Sequence, residues 1–585
     1  MKVSVNTIRK LIDFELPPID QLKERIDEQL GKVEDVIDLG AKYKGAVIVK
    51  VISAEKHPDA DKLTVCMVDD NGAVADVPRN ESGYVQVVCG APNAREGMYA
   101  VWLPPQVTVP ASFGDEPFVL SAREIRGVMS QGMLAAADEL DIGTDHSGII
   151  ELQNTDLPYD VESRALAPGQ DFAELFGLDD TILDIENKMF THRPDCFGQL
   201  GVAREIAGIL GGSFRDPDWY FNAQDIMRPI GDPIALTVFN EAGQRVPRFM
   251  AVGLRNVTVK PSPFWLQAEL IRMGSKPINN VVDITNYMML MTAQPLHAYD
   301  YDKLAGSTLG VRMANAGEKL ALLNGKTYEL SQDDIVIVDG EKAIGLGGVM
   351  GGSNSEVSET TRTIVLECAA FDMYAIRKTS MRHGLFTDAV TRFNKGQSML
   401  MQPFVTQEAV QMLADLTGAT VATDVKDDLL NNKNEWRVDV AVKPMLAAAT
   451  MSADFVNNRL GTALTASEMA QLLVNVGFEC TVDGDTFTYW APAWRMDIQD
   501  KEDIVEEVGR LHGFDKLPLV LPTRSIKPVR KNAMREVANI VRESLQRAGA
   551  NEVLTYSFVH KNVMERAGQD VTQAFQLSNA LSPDL

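Results

Sequence analysis

A cluster of polar side chains interrupts an apolar stretch of the sequence between residues 277 and 300. The polar residues are Asn279, Asn280, Asp283, Thr285, Asn286, Gln294 and His297. A segment that only fills a core is not expected to carry so many, because each buried polar group without a hydrogen-bond partner costs about 1–3 kcal/mol. Two interpretations stay open: a solvated structural loop, or a pocket lined by these side chains.

A second candidate is Glu367, which lies between Leu366 and Cys368 in a run that predicts an apolar strand. A carboxylate in such a strand is unfavourable unless it is paired. The pattern predicts either a buried ion pair with an arginine or a carboxylate that serves a site. The glycines of residues 345–352 would let a ligand lie against the backbone. They form no phosphate loop, since Met350 breaks a GxGxxG pattern and no Gly-Lys-Ser/Thr follows.

Carboxylates also cluster in KEDIVEEVGRLHG, residues 501–513. Asp503, Glu506 and Glu507 are three and four residues apart, so at least two of them share one face of a helix. Clustered hard oxygens suit Mg²⁺, which keeps some of its waters. The alternative is a solvated acidic helix start, which the helix dipole favours.

Cations lie in the β-rich segment that precedes residue 135. They are Lys62, Arg95, Arg123 and Arg126. Side chains of this type contact a nucleic-acid backbone through its phosphates. His57, in the same segment, is interpreted as a turn cap without a catalytic role.

The composition limits the class of protein. A chain of 585 residues is too long for one core, so we expect several domains. The net charge of −25 excludes a protein that coats nucleic acid by charge alone. Apolar runs of eighteen residues are absent from the sequence, which predicts no membrane helix. Five scattered cysteines without a CxxC pair predict reduced thiols, a cytoplasmic location and no zinc site.

Short β-rich runs separated by turn residues predict a small barrel. The runs are Val47–Ile52, Leu63–Val68, Val85–Cys89 and Tyr99–Leu103. A strand, one helix and a return strand are predicted before residue 40. Further helices are predicted over Ala203–Leu210, Pro403–Thr417 and Asn532–Ala548, with a polar linker over 427–435.

Several motifs carry a family resemblance. HPDADKL, VVCGAPNAREG and IRGVMSQGML, in this order, resemble the EMAP II-like tRNA-binding OB domain. Residues 277–300, 345–357, 364–371 and 382–396 resemble the B3/B4 editing region of the bacterial phenylalanyl-tRNA synthetase beta subunit. Residues 491–518 resemble the B5 signature of that family. NEVLTYSFV and LSNALSPDL, near the end of the chain, resemble the start of its catalytic-like domain.

This resemblance implies a multidomain α+β fold. An OB-fold barrel (40–151) is expected inside an N-terminal α+β module (1–39 and 152–200). A B3/B4-type editing module (210–400), a small helical or winged B5 module (434–518) and the start of a class II synthetase-like domain (519–585) follow. Since the sequence stops inside the last motif, we expect a chain that lacks most of that domain.

The resemblance also implies a function. Such a beta subunit supports ATP-dependent attachment of phenylalanine to tRNA(Phe) by an alpha subunit, in a cytoplasmic assembly of two alpha and two beta chains. Its own chemistry is hydrolysis of tyrosine mischarged onto tRNA(Phe). The editing site of the family falls on Asn286, His297, Gly351, Glu367, Thr387 and Ala389. Glu367 would accept a hydrogen bond from the tyrosine hydroxyl, and His297 would orient the ester or its water.

Cofactor and partner expectations follow from the same resemblance. ATP would bind to the alpha subunit. Lys62, Arg95, Arg123 and Arg126 would contact tRNA, and no membrane is involved. The B5 ligands of Mg²⁺ map to Asp497, Asp503, Glu506 and Glu507.

Two rival functions remain. One is a tRNA-binding scaffold with an inactive editing pocket, because MTAQP (291–295) replaces the common ELGQP and RFNKG (392–396) replaces RFERG, both next to the predicted pocket. The other is a free-standing OB-type RNA-binding protein, against which co-purification with an alpha subunit would count.

Overall fold

The computed structural model describes residues 1–577 except 115, 159–164, 189, 222–227, 430–445 and 447. It divides into two compact units, residues 1–518 and 519–585. LSNALSPDL lies outside the described residues apart from Leu577, and so do residues 434–445 of the predicted B5 domain and most of the predicted linker.

The chain begins with a small module around an antiparallel sheet. Its first elements are β1 (Lys2–Ser4), α1 (Val5–Lys10), α2 (Ile19–Gln29), β2 (Val33–Asp38) and α3 (Leu39–Tyr43). The prediction of one helix between the strands was wrong. Ser4 caps α1 by accepting a hydrogen bond from Thr7, and Pro17 and Pro18 separate α1 from α2.

The barrel segment follows and nearly closes on itself. Its strands are β3 (Val47–Lys56), β4 (Thr64–Asp69), β5 (Val85–Cys89), β6 (Tyr99–Leu103), β7 (Arg123–Ile125), β8 (Val128–Ser130) and β9 (Met133–Leu134). The sheet order is β5-β4-β3-β6-β9. The Gln131 amide donates a 3.0 Å bond to the Gln86 carbonyl and so brings the last segment back to β5. All four predicted strands are confirmed, because period-two burial leaves little choice of register.

After the barrel segment the chain returns to the first sheet through α4 (Phe172–Phe176), β10 (Thr181–Ile185) and α5 (Gln199–Leu210). β10 pairs antiparallel with both β1 and β2, so the barrel segment is an insertion in this N-terminal module. Gly211 ends α5 in the left-handed region, at φ 73°, as the double glycine predicts.

Within the described residues, the central module contains two larger sheets and a small two-stranded one. Its elements are β11 (Thr237–Asn240), β12 (Arg248–Arg255), α6 (Phe264–Arg272), α7 (Asn280–Thr292), β13 (Leu296–Asp300), β14 (Thr308–Met313), β15 (Lys319–Ala321), β16 (Thr327–Glu329), β17 (Ile335–Val338), β18 (Ala343–Leu346), β19 (Met350–Gly351), β20 (Thr363–Ala370), α8 (Met373–His383), α9 (Asp388–Phe393), α10 (Gln402–Thr417), β21 (Thr420–Val421) and β22 (Lys426–Leu429). One sheet has the order β13-β20-β12-β21, and the other β11-β14-β17-β18-β19.

Alternation along the strands explains how the two sheets pack. Val252 and Leu366 join Leu413 of α10 in a core on one face of the first sheet. Their strand neighbours Ala251 and Val365 belong to a second core, shared with the other sheet. β22 pairs with β12 over Asp427 and Asp428, so the predicted linker starts too early.

A smaller module completes the first unit. Its elements are β23 (Ala449–Ser452), α11 (Ala453–Leu460), α12 (Ala466–Val474), β24 (Glu479–Asp483), β25 (Thr486–Trp490) and α13 (Lys501–His512). The sheet order is β23-β25-β24. Its buried Leu473 and Trp494 share one apolar core with Phe197 of the N-terminal module.

The second unit contains α14 (Ala533–Arg547) and α15 (Lys561–Arg566). The prediction of α14 is confirmed, and Asn532 caps it by accepting a bond from the Arg535 amide. Apolar side chains of this unit, such as Ile526 and Leu554, are exposed. Among the described residues of the whole chain, helices long and apolar enough to span a bilayer are absent.

Candidate active site

The polar stretch between residues 277 and 300 is a helix and a strand, so the structural-loop interpretation was wrong. Asn279 caps α7 by accepting bonds from Val281 and Val282 at 3.1 and 3.0 Å. Asp283 accepts from the Ser262 hydroxyl at 2.6 Å and from the Ile278 amide at 2.7 Å. Burial raises the pKa of Asp283 to about 6, although these bonds oppose it. Both side chains therefore fix the start of the helix.

Other polar groups of this stretch also have internal partners. Asn280, fully buried, donates to the Thr258 carbonyl at 2.9 Å. Gln294 donates to the Ala369 carbonyl at 3.0 Å, and Thr285 to the Val282 carbonyl at 2.7 Å. Five of the seven polar residues are therefore structural, and Asn286 and His297 remain available for a site.

Strand pairing places His297 beside Glu367. The edge strand β13 runs antiparallel to β20, with His297 directly opposite Glu367. Directly opposed residues of a sheet point to the same face. Here that face packs against the second sheet, since Tyr299, two residues after His297, belongs to the core between the sheets.

Glu367 is buried without a cation. Its side chain is 6% exposed, and no ion pair involves it among the described residues. Its Oε2 accepts a 2.6 Å hydrogen bond from the Tyr299 hydroxyl. Burial raises the pKa of Glu367 to about 7, against the lowering effect of the Tyr299 bond. The interpretation as an ion pair with arginine was therefore wrong, and Glu367 does not point into solvent.

His297 is neutral at physiological pH. Burial lowers the pKa of its imidazole to about 4. The ring lies 4.6 Å from the Tyr299 ring, centroid to centroid, in an edge-on arrangement. A Cβ on Gly351 would lie 2.7 Å from two atoms of this imidazole. Gly351 belongs to β19, the edge strand of the second sheet, so the site lies where the edges of the two sheets meet.

The other three predicted editing residues are less closely joined to this pair. Thr387 caps α9, and its hydroxyl donates to the Val349 carbonyl at 2.8 Å, two residues before Gly351. Ala389 packs against the apolar core that contains Tyr299. Asn286 is half-buried on α7, and within the described part of the chain no hydrogen bond joins it to the other five.

The arrangement offers a hydrogen-bond acceptor and a neutral imidazole in apolar surroundings. Buried ionisable groups without compensating charges are typical of functional sites. Sequence reasoning missed Tyr299, the direct partner of Glu367. The signal was present, because period-two alternation places residues 297 and 299 on one face of a strand.

The two segments that depart from the family's common sequence, MTAQP (291–295) and RFNKG (392–396), have different surroundings. Met291 is buried in the core shared by the N-terminal and small modules. The expectation that the MTAQP segment flanks the editing pocket stays a prediction. Asn394 follows the last residue of α9, and its buried Oδ1 has no hydrogen-bond partner among the residues that the structure describes.

The predicted magnesium ligands do not form a free carboxylate cluster. Arg495 binds both oxygens of Asp497, the shortest contact being 2.7 Å, and donates to Glu507 at 2.7 Å. Asp503 accepts from the amides of Gln499 and Asp500, as a helix cap. These arginine pairs neutralise two of the four carboxylates, so the residues as arranged do not fit Mg²⁺, and the site stays a prediction without support here.

Glu507 belongs instead to a buried ionic network between modules. Arg510 donates to it at 2.9 Å and reaches Glu205 of α5 at 2.7 Å. Arg193 binds Glu205 at 2.5 Å and Asp195 at 2.8 Å. The cationic neighbours lower the pKa of Glu507 well below its ordinary value, despite its burial. Arg193 is therefore structural. Among the described residues, Asp195, Cys196 and Glu205 are close enough together to bind a metal ion. Arg193 forms ion pairs with both carboxylates of this group.

The predicted tRNA contacts are all exposed on the barrel segment. Arg95 pairs with Glu151, and Arg126 donates to the Asp59 carbonyl at 3.5 Å. His57 is buried and accepts from the Asp59 amide at 3.1 Å, which confirms its role in a turn.

A cavity of about 1070 Å³ lies between the barrel segment and the central module, with Asp156, Phe264 and Asp283 in its wall. None of the six predicted editing residues lines it. The cavity is therefore distinct from the contact between His297 and Glu367.

Four family models match the chain in order. The "Putative tRNA binding domain" matches residues 46–157, and the "B3/4 domain" matches 245–418. The "tRNA synthetase B5 domain" matches 449–514, and the "Phenylalanyl tRNA synthetase beta chain CLM domain" matches 517–585. The folded modules thus define a multidomain α+β subunit of a tRNA synthetase.

Curated relatives identify the family. The phenylalanine--tRNA ligase beta subunit of Latilactobacillus sakei is 34% identical over 583 residues, covering 99% of this chain and 68% of that protein. The same subunit of Geobacillus kaustophilus is 34% identical, covering 100% and 68%. That of Syntrophus aciditrophicus is 32% identical with the same coverage. The chain belongs to the phenylalanine--tRNA ligase beta subunit family, a family of ligases.

Proposed function

We propose that this chain hydrolyses tyrosine from mischarged Tyr-tRNA(Phe), at the junction of His297, Glu367 and Gly351. The observation that carries the proposal is Glu367, buried and without a cation, opposite a neutral His297. A carboxylate in this setting accepts a phenol hydrogen bond strongly, because no guanidinium competes for it.

The need for such a site follows from the chemistry of the two amino acids. A pocket shaped for phenylalanine cannot strongly reject a near-isostere that adds one hydroxyl. A second site that requires the hydroxyl sorts the wrong product from the correct one. Phenylalanine would leave Glu367 desolvated and without a partner from the substrate, which is unfavourable.

The bound ester would lie between the two sheets. The phenol would donate to Glu367, and the close approach of His297 to Gly351 would place the imidazole at the reacting carbonyl or its water. At a pKa of about 4 the imidazole stays neutral at physiological pH and can orient the ester or its water by a hydrogen bond. Thr387, Ala389 and Asn286 would form the wall.

The wider assembly is part of the proposal. The chain would bind tRNA(Phe) through Lys62, Arg95, Arg123 and Arg126 of a barrel of the OB type. It would assemble as two alpha and two beta chains in the cytoplasm, with ATP and its Mg²⁺ used by the alpha subunit. Residues 519–585 would begin a class II synthetase-like domain.

Deacylation of Tyr-tRNA(Phe) by the assembly with the alpha subunit tests the editing function. We expect wild type to release tyrosine faster than buffer. The rate should fall about tenfold or more in Glu367→Ala, which loses one charged hydrogen bond, and also in His297→Ala, which loses the imidazole that would orient the ester or its water. Glu359→Ala, an exposed carboxylate of the same module, is the matched control. Release no faster than buffer by wild type would leave a tRNA-binding scaffold, while phenylalanylation should stay unchanged in all three variants.

A further inference from the structure

The hydroxyl of Tyr299 occupies one oxygen of the carboxylate on which the proposed editing site depends. Tyr299 is 2% exposed and lies two residues from His297 on the same face of β13. Its hydroxyl donates to Oε2 of Glu367 at 2.6 Å. The other oxygen, Oε1, accepts no hydrogen bond from the described residues.

A carboxylate has room for both a protein donor and a substrate donor. Its two oxygens offer about four lone-pair sites, and Tyr299 uses one of them. The ring of Tyr299 also packs against the His297 ring in a T-shaped contact, with 4.6 Å between the centroids. A Cβ on Gly345 would lie 3.7 Å from the Tyr299 hydroxyl, so the second sheet closes over this bond.

We propose that Tyr299 is a positioning residue of the editing site, which holds Glu367 by Oε2 and leaves Oε1 for the phenol of the substrate. This inference rests on the proposed function and adds a specificity-determining residue to it. Tyr299 does not touch the reacting atoms. It acts by fixing the orientation of Glu367 and by stabilising its ionised form.

The stabilising effect has a definite sign. Burial raises the pKa of Glu367, and the bond from Tyr299 lowers it, with the balance at about 7. Loss of the hydroxyl would therefore raise the pKa further and protonate Glu367 at neutral pH. His297, which faces Glu367 from β13, is neutral in this range, and Ala251, its partner on β12, carries no charge. Among the described residues, the Tyr299 hydroxyl is therefore the donor that lowers the pKa of Glu367 against its burial.

Tyr299→Phe keeps the ring and removes the hydroxyl. At pH 7 we expect Tyr-tRNA(Phe) deacylation by the assembly with the alpha subunit to fall about tenfold, the worth of one charged hydrogen bond. Because activity needs ionised Glu367, the rise of the rate with pH should move to higher pH. The matched control is Tyr301→Phe, whose hydroxyl bonds to the Ala235 carbonyl and to Ser307 instead. It should leave rate and pH profile unchanged.

A second variant covers the case in which Tyr299→Phe does not fold, judged by its circular dichroism and thermal midpoint. Incorporation of 3-fluorotyrosine at position 299 keeps the size of the ring and makes the phenol a stronger donor. The pH profile should then move to lower pH, opposite to Tyr299→Phe.

The possible outcomes are distinct. An unchanged pH profile in both variants overturns the inference, and so does faster deacylation by Tyr299→Phe, which would mean that Tyr299 competes with the substrate for Glu367. If wild type itself releases no tyrosine, the proposed function fails instead. Opposite shifts by the two variants, with Tyr301→Phe unchanged, support the inference.

Discussion

Two buried glutamates of this chain have opposite electrostatic surroundings. Glu367 lies in a sheet with one neutral donor, the Tyr299 hydroxyl, and burial raises its pKa to about 7. Glu507 lies on α13 between Arg495 and Arg510, which lower its pKa well below the ordinary value. The two side chains are 6% and 2% exposed, so burial alone does not decide their state.

The difference separates a candidate site from a structural joint. The arginines around Glu507 already neutralise its charge, so it does not attract another cation. They also connect α13 to α5 through Glu205 and Arg193. Glu367 can still accept a further hydrogen bond, which a substrate hydroxyl can donate. A carboxylate signals a site when its charge is left uncompensated, whereas a fully paired one more often holds the structure together.

The largest effect is expected at the joint. Glu507→Gln would remove one of the two carboxylates that pair with each of Arg495 and Arg510, and breaking a buried ion pair costs about 3–5 kcal/mol of unfolding free energy. Urea unfolding followed by tryptophan fluorescence measures this, since Trp494 lies in the same core. The matched control is Glu506, the exposed neighbour of Glu507. The free energy of unfolding of Glu506→Gln should stay within about 0.5 kcal/mol of wild type. Equal effects of the two changes would show that the network around Glu507 does not stabilise the fold.

At Glu367 we expect the opposite effect on stability: the change from Glu to Gln should raise the free energy of unfolding. The pKa of Glu367 is raised from 4.5 to about 7 in the folded state, so ionisation of this side chain destabilises the fold. The stability that protonated Glu367 contributes is therefore complete below pH 4.5 and is lost as the pH rises through 7. Glu367→Gln removes the ionisation and keeps an acceptor for Tyr299. We expect the variant to exceed wild type at pH 8 by about 3 kcal/mol, with no gain at pH 4.5.

Urea unfolding of wild type and Glu367→Gln at both pH values measures this difference. Glu359→Gln, at an exposed position, should give no pH-dependent gain. A variant at position 367 that is less stable than wild type at pH 8 would contradict a buried carboxylate without a cation.

Two glycines that face each other across β18 and β19 should respond differently to an added methyl group. A Cβ on Gly351 would lie 2.7 Å from the His297 imidazole, whereas a Cβ on Gly345 has no neighbour closer than 3.6 Å. We expect Gly351→Ala to displace the imidazole and to lower Tyr-tRNA(Phe) deacylation about tenfold, or about 1.4 kcal/mol. Gly345→Ala should retain most of the rate. Equal rates of the two variants would separate His297 from the reaction.

The smallest effect is expected on the barrel segment. Lys62→Ala or Arg126→Ala should weaken tRNA(Phe) binding a few-fold and reduce the slope of log affinity against log salt by about one for each lost phosphate contact. Arg95→Ala should do less, because Glu151 already pairs with Arg95. Lys23→Ala, an exposed lysine of α2 paired with Asp27, is the control and should not alter the slope. A filter-binding series over salt concentration measures all four.

Local elements could be predicted where one periodicity dominates. β5 and β6 have the predicted bounds, and α10 differs from its prediction by one residue, because alternation, a first-turn proline and a closing glycine act within a few residues. The one helix predicted before residue 40 was wrong, because α1 ends at Lys10 and a second helix, α2, begins directly after Pro17 and Pro18. β22 was missed because its charged residues pair with the buried β12, which only the tertiary structure supplies.

The sequence alone determined the chemistry of the site residues, the order of the modules and the family, since these depend on residue types and their spacing along the chain. The tertiary structure decided which carboxylates are free. Asp497 and Glu507 pair with Arg495, which the helical pattern does not predict. Glu367 accepts a hydrogen bond from Tyr299 and is not paired with an arginine. The state of a buried charge depends on neighbours distant in sequence, and folding alone brings those neighbours together.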